Sequence, residues 1–162
     1  MNNLENSIWR VKERISRACA RSGRSDGEVL LVAVTKTVEA EKIRLAAACG
    51  LRDFGENYIQ EARTKIEGFG MDVCWHMIGH IQMNKVKYLP GLFDYLHSVD
   101  RWEILENLEK RGKPMKVLFE INLSGEASKH GSQEDDLRRM LEKVNTLTCI
   151  EPVGLMTMAP YM

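Results

Sequence analysis

The stretch VLLVAV at residues 29–34, followed directly by Thr35, Lys36 and Thr37, decides how this chain is expected to fold. The apolar run is continuous, short for a helix and rich in β-branched residues, so it predicts a strand that is buried on both faces. Strands of this kind belong to parallel sheets, in which helices cover both faces. The run therefore predicts an α/β protein.

Helices and strands alternate outward from this run. An apolar stripe from Leu4 to Cys19 predicts an N-terminal helix that ends near Gly23. Asp100 is predicted to cap the helix at 102–111. Further strands are predicted near 53–54, 73–78, 95–98, 117–121 and 153–156, with helices at 39–49, 58–67, 83–88, 102–111 and 133–145.

Six strands in this alternation predict right-handed βαβ units and a parallel sheet, either open and doubly wound or closed as a barrel. No linker rich in proline or glycine interrupts the series, so residues 1–162 are expected to form a single domain. An eight-stranded barrel would need two more βα units after the sixth strand.

Composition excludes several functional classes. The 162 residues include 23 Lys+Arg and 23 Asp+Glu, and this balance argues against nucleic acid as the main partner. No run approaches the roughly 18 apolar residues of a membrane span, and the N-terminus is too charged for a signal peptide. Four isolated cysteines predict free thiols. We expect a cytoplasmic protein that does not bind membranes.

Lys36 is the main candidate for chemistry. It lies at the carboxyl end of the most apolar strand, the edge at which active sites of parallel α/β folds gather. A partly desolvated lysine there would be suited to Schiff-base formation with an aldehyde or ketone. A surface lysine that begins a loop is the alternative interpretation.

Other predicted strand ends also carry polar side chains, which predicts a ligand pocket at one rim of the sheet. Each also has a structural interpretation, such as a helix cap or a buried, hydrogen-bonded histidine. No metal site is predicted, because His76 and His80 have helical ligand spacing in a segment that reads as a strand and a loop. The polar residues are Glu56, Asn57, His76, His80, His97, Ser98, Asn122 and Ser124.

Six motifs together resemble the YggS/PROSC family of pyridoxal-phosphate homeostasis proteins over nearly the whole chain. They are VAVTKT at 32–37, FGENYIQE at 54–61, WHMIGHIQMNK at 75–85, HSVD at 97–100, INLSGE at 121–126 with SKHG at 128–131, and GLM at 154–156. The resemblance implies a pyridoxal-phosphate-binding (β/α)8 TIM-type barrel of fold type III, like alanine racemase, without its last two βα units.

The same resemblance implies that Lys36 holds pyridoxal 5'-phosphate as a Schiff base, with Asn57, His76 and Met156 near the cofactor ring. Members of the family are regarded as carriers or regulators of the cofactor and not as enzymes. The Ser-x-Gly-Met-Ser and Arg-x-Gly segments with which the family holds the phosphate and faces the ring nitrogen do not occur in this sequence.

Three other functions remain open at this point. A racemase or decarboxylase on the same barrel would need a second acid/base group, which alanine racemases take from another domain. The chain could also be an aldolase that forms a Schiff base between Lys36 and its substrate without a cofactor. Alternatively, it could be a fragment that offers only an interaction surface. A monomer or weak homodimer is expected, with pyridoxal-phosphate-dependent enzymes as candidate partners.

Overall fold

The computed structural model describes residues 3–123 and 130–159 and shows a six-stranded parallel sheet in the order β1-β2-β3-β4-β5-β6. The strands are Val32–Val34 (β1), Asp53–Glu56 (β2), Cys74–Met77 (β3), Tyr95–Val99 (β4), Met115–Glu120 (β5) and Ile150–Met156 (β6). The predicted alternation of helices and strands is confirmed.

Five α-helices accompany the strands: Asn3–Ser22 (α1), Ala40–Ala48 (α2), Ile59–Ile66 (α3), Trp102–Glu109 (α4) and Glu134–Val144 (α5). Short 3-10 helices lie at Asp26–Glu28 and Met83–Tyr88. Helix α1 stops before Gly23, whose φ of 69° lies in the left-handed region that favours glycine. None of the helices described here has the length and apolar character needed to cross a bilayer.

Side chains alternate across the sheet and give it two different faces. One face belongs to a single buried apolar cluster that also takes in residues of the helices. The other face carries polar groups on the inner strands, including Asp53, His76 and His97. The buried strand residues of the apolar cluster include Phe54, Trp75, Met77, Leu96, Val117 and Phe119.

The prediction for the first strand was wrong in length and in burial. Strand β1 covers only 32–34, and Leu30 and Val34 are 62% and 52% exposed. The reason is that β1 pairs with β2 alone and forms one edge of the described sheet, so its outer side lacks a neighbouring strand.

Two smaller expectations also differ from the structure. The N-cap of α4 is Arg101 and not Asp100, because the Asp100 carboxylate instead accepts hydrogen bonds from the Arg101 guanidinium at 2.8 and 3.2 Å. Strand β6 begins at Ile150, earlier than predicted, and contains Pro152. Proline is tolerated there because β6 is the other edge of the described sheet.

Candidate functional site

Lys36 lies in the turn that directly follows β1, at the carboxyl-terminal rim of the sheet. Its side chain is exposed, so the expected partial desolvation was wrong. Within residues 3–123 and 130–159 its amine makes no hydrogen bond or ion pair. The amine is therefore free to meet a ligand from solution.

A buried polar network holds the turn from its N-terminal side. The Thr35 hydroxyl donates to Glu56 Oε1 at 2.6 Å, and Lys65 Nζ donates to the Thr35 carbonyl at 2.7 Å. Lys65 Nζ also lies 2.8 Å from Glu56 Oε1. Glu56 is completely buried and Lys65 is nearly so. Because Thr35 precedes Lys36 directly, these contacts fix where the lysine leaves the sheet.

The same network holds the turn from its C-terminal side. The Thr37 amide donates to Glu61 Oε1 at 2.5 Å, and Lys65 Nζ donates to the same oxygen at 2.6 Å. Thr37 has a φ of 61°, and it is the only described residue other than glycine with a positive φ. A β-branched residue is strained in this region, so the contact with Glu61 maintains a backbone conformation that threonine alone disfavours.

The charges in the network stabilise one another. Burial tends to lower the pKa of Lys65, but its hydrogen bonds to Glu56 and Glu61 outweigh burial, so the pKa lies above its ordinary value. The hydrogen bond from Lys65 holds the pKa of Glu61 below its ordinary value, with a smaller contribution from the Thr37 amide. Lys65 therefore remains an ammonium and is not a second candidate for Schiff-base chemistry.

Asn57 follows β2 and, by the pairing of Val34 with Gly55, reaches the rim beside the Lys36 turn. Its Oδ1 atom is buried and has no hydrogen-bond partner among the described residues. Gly79 packs so closely on the Asn57 backbone that a Cβ at position 79 would lie 2.3 Å from the Asn57 carbonyl oxygen. A cavity of about 460 Å³ opens here, lined by Asn57, Tyr58, Ile59, Gln60, Met77, Gly79, His80, Gln82, Lys85 and His130.

His76 lies deeper in the sheet than the rim, paired with Gly55 and Tyr95. It is 1% exposed, and its ring nitrogens contact Asp53 Oδ1 at 3.0 Å and His97 Nε2 at 2.9 Å. Its ring stacks on Tyr95 with centroids 4.7 Å apart. Burial, followed by the neighbouring His76, lowers the pKa of His97 to about 4, which keeps His97 neutral at physiological pH.

The remaining predicted site residues are spread over the rim. Met156 ends β6, at the opposite edge of the described sheet from β1, and pairs with Glu120. Ser124 lies outside the described residues. The structure thus places Lys36 and Asn57 at neighbouring positions, His76 below them and Met156 at the far edge; a contact of His76 or Met156 with the cofactor stays a prediction.

Two groups of side chains have the composition of metal ligands, with donor atoms within 4.8 Å of one another: Asp53, Cys74 and His76, and His80, Asp100 and His130. In the first, His76 already binds Asp53, and burial, Asp94 and Asp53 raise the pKa of the Cys74 thiol to about 12. In the second, the Arg101 guanidinium binds Asp100 and lies 3.3 Å from His80 Nε2. Existing protein contacts therefore occupy the first group, whereas in the second group His80 Nδ1 is buried without a hydrogen-bond partner among the described residues.

Comparison with known proteins places this chain in a family. The model of the alanine racemase N-terminal domain matches residues 9–162. The pyridoxal phosphate homeostasis protein of Aquifex aeolicus is 40% identical over 100% of this chain and 73% of its own length. The chain belongs to the pyridoxal phosphate homeostasis protein family.

Relatives and solved structures agree with this membership. The homologue of Pseudomonas aeruginosa is 41% identical over 96% of this chain and 70% of its own length. PipY of Synechococcus elongatus, solved with pyridoxal phosphate bound, is 34% identical with a TM-score of 0.77, covering 90% of this chain and 70% of that one. Alanine racemase of E. faecalis shares the fold, with a TM-score of 0.68 at 18% identity over 91% of this chain and 41% of that one. The six described strands thus form part of a parallel α/β barrel of the alanine-racemase type.

Sequence reasoning missed the two polar networks that surround the family motifs. Glu61 and Lys65 have the i, i+4 spacing of a helical ion pair, and this signal was available in the sequence. Its extension to Glu56 and Thr35 depends on how α3 packs behind β1 and β2, which spacing does not reveal. The Asp53–His76–His97 chain crosses three strands and depends in the same way on strand register.

Proposed function

We propose that this protein binds pyridoxal 5'-phosphate through Lys36 and serves in cofactor homeostasis as a carrier. The observation that carries the proposal is the free, exposed amine of Lys36 on a turn whose neighbours, Thr35 and Thr37, are both fixed. Homologues named pyridoxal phosphate homeostasis proteins and the cofactor-bound PipY structure support it.

The residues around Lys36 suit this cofactor. Pyridoxal phosphate supplies an aldehyde that forms a reversible imine with a lysine amine. Asn57 offers a buried oxygen without a described partner at the same rim, and the cavity beside Asn57 is lined by Lys85, His80 and His130 and, among the described residues, by no carboxylate. A phosphate-bearing, partly aromatic ligand meets complementary groups there.

A carrier role is favoured over racemase or decarboxylase chemistry. Racemisation needs an acid/base group on each face of the substrate α-carbon. Both ring nitrogens of His76 are engaged, by Asp53 and His97, so this histidine is not free to act as such a group. A carrier requires only a reversible bond and an open site, and enzymes that depend on the cofactor are the partners it implies.

We place this function in the cytoplasm. The support is that all four cysteines are free thiols, as is usual in a reducing compartment.

Equilibrium dialysis against pyridoxal phosphate tests the proposal. The wild-type chain should bind one equivalent, and Lys36→Ala should bind at least about tenfold more weakly, because the covalent anchor is lost. Lys42→Ala removes another exposed lysine, on α2, and should bind as the wild type does. Equal binding by wild type and Lys36→Ala would contradict the proposal.

A further inference from the structure

One ammonium group connects the carboxylates that contact the turn around Lys36. The turn is also closed by backbone hydrogen bonds from the Thr35 amide to the Gly55 carbonyl at 2.9 Å and from the Val38 amide to the Thr35 carbonyl at 3.0 Å. Lys65 Nζ donates to the Thr35 carbonyl at 2.7 Å, to Glu56 Oε1 at 2.8 Å and to Glu61 Oε1 at 2.6 Å. A lysine ammonium has three donors, and all three are used here. Glu56 in turn accepts a hydrogen bond from the Thr35 hydroxyl, and Glu61 accepts one from the Thr37 amide, so Lys65 links the side-chain contacts on both sides of Lys36.

We infer that Lys65 is a positioning residue for Lys36: its ammonium holds the turn in the conformation that presents the Lys36 amine to a bound ligand. This inference rests on the proposed function for the identity of the ligand. The fixing of the turn itself does not depend on any ligand.

The chemistry of the network requires a cation at position 65. The Glu56 carboxylate is fully buried, and its only described partners are Thr35 and Lys65. Without the Lys65 ammonium, the buried carboxylate would have to be hydrated or protonated, and in either case the hydrogen bonds that tie α3 to the end of β1 would be lost. An apolar side chain at position 65 would fill a similar volume but could not donate hydrogen bonds to the Thr35 carbonyl, Glu56 and Glu61.

The strained backbone at Thr37 makes the turn sensitive to this anchor. Thr37 holds a positive φ of 61° while its amide donates to Glu61. Strained residues keep such conformations only where the surroundings impose them. When Lys65 no longer fixes the Glu61 carboxylate, the hydrogen bond from the Val38 amide to the Thr35 carbonyl must hold the strained turn without that support. The direction of the Lys36 amine is then less tightly fixed.

Lys65→Met is the direct test, with three measurements on the full chain. Hydrogen exchange at the Thr37 amide should become at least about tenfold faster, the factor expected from the loss of a charge-assisted hydrogen bond. Pyridoxal phosphate trapped on Lys36 by borohydride should fall by about tenfold at limiting concentration. Reductive methylation of Lys36 by formaldehyde should stay within about twofold of wild type, because a freely diffusing aldehyde needs no positioned partner.

Arg63→Met on the same helix is the matched control, since it removes only the exposed ion pair with Glu67 at 2.7 Å. It should leave all three measurements unchanged. If Lys65→Met does not fold, Glu61→Ala and Glu61→Gln replace it. Alanine removes the acceptor of the Thr37 amide and should speed its exchange, whereas the glutamine carbonyl should retain most of the protection.

The outcomes separate this inference from the proposed function. Unchanged Thr37 exchange in Lys65→Met, or faster exchange with trapping at the wild-type level, would overturn the inference. A wild-type chain that traps no cofactor on Lys36 would overturn the proposed function. Faster Thr37 exchange would then still support the role of Lys65 in holding the turn.

Discussion

Gly79→Ala is expected to destabilise the fold and to disturb the rim at Asn57. A Cβ at position 79 would lie 2.3 Å from the Asn57 carbonyl oxygen and 2.7 Å from the Asn57 Cα. These are backbone atoms, so relief requires a shift of about 1 Å in the connection between β2 and α3, well beyond a rotamer change. Forced overpacking of this kind costs about 1–3 kcal/mol. The Gly79 carbonyl also accepts a hydrogen bond from the Ser98 hydroxyl, so the Gly79 backbone is held in place and cannot readily move away from Asn57.

Urea unfolding at neutral pH measures this cost, with Gly27→Ala as the control. A Cβ at position 27 meets no atom within 4 Å, and Gly27 does not have a positive φ, so the control should change the free energy of unfolding by less than about 0.5 kcal/mol. Cofactor binding by Gly79→Ala should weaken as well, because Asn57 is displaced. A loss no larger than that of Gly27→Ala would refute the argument that this close approach shapes the site.

Two further predictions concern titrating groups on the polar face. His97 has a folded-state pKa of about 4, below its unfolded value of about 6.5, so its contribution to stability is present above pH 6.5 and is lost as the pH falls towards 4. The loss between pH 7 and pH 5 should be about 1 kcal/mol after allowance for partial exposure, and urea unfolding of His97→Gln should show a correspondingly flatter pH dependence. Burial and the neighbouring Asp94 raise the pKa of Cys74 to about 12, so Cys74 should react with iodoacetamide at pH 8 at least about tenfold more slowly than the partly buried Cys149. Peptide mass spectrometry measures both rates, and equal rates would contradict the described environment of Cys74.

The order of helices and strands could be predicted from the sequence because the spacing of apolar residues within each segment indicates whether it forms a helix or a strand. The apolar stripe of α1 and the short runs that became β3 and β5 have the periodicities of helices and strands. Burial of β1 could not be predicted in the same way. A β-branched run is equally compatible with an inner and an edge strand, and only the pairing shows that Val34 lies at an edge.

The sequence predicted which edge of the sheet carries the candidate site, but it did not predict which polar side chains contact one another there. Lys36 and Asn57 follow strands directly, so parallel pairing brings them to one edge of the sheet. His76 is also near a strand end in sequence, yet its side chain binds Asp53 and His97 within the sheet because of the register between β2, β3 and β4. Which polar groups satisfy one another is a property of three-dimensional packing, and short motifs do not contain it.

Whether Lys36 binds the cofactor can be tested by reducing a mixture of the protein and limiting pyridoxal phosphate with borohydride and mapping the modified lysine by peptide mass spectrometry. The exposed amine on the fixed turn predicts modification confined to Lys36, and none in Lys36→Ala. Modification distributed over several surface lysines, or found mainly on another lysine such as Lys85 beside the cavity, would contradict the claim that the Lys36 turn is the cofactor anchor.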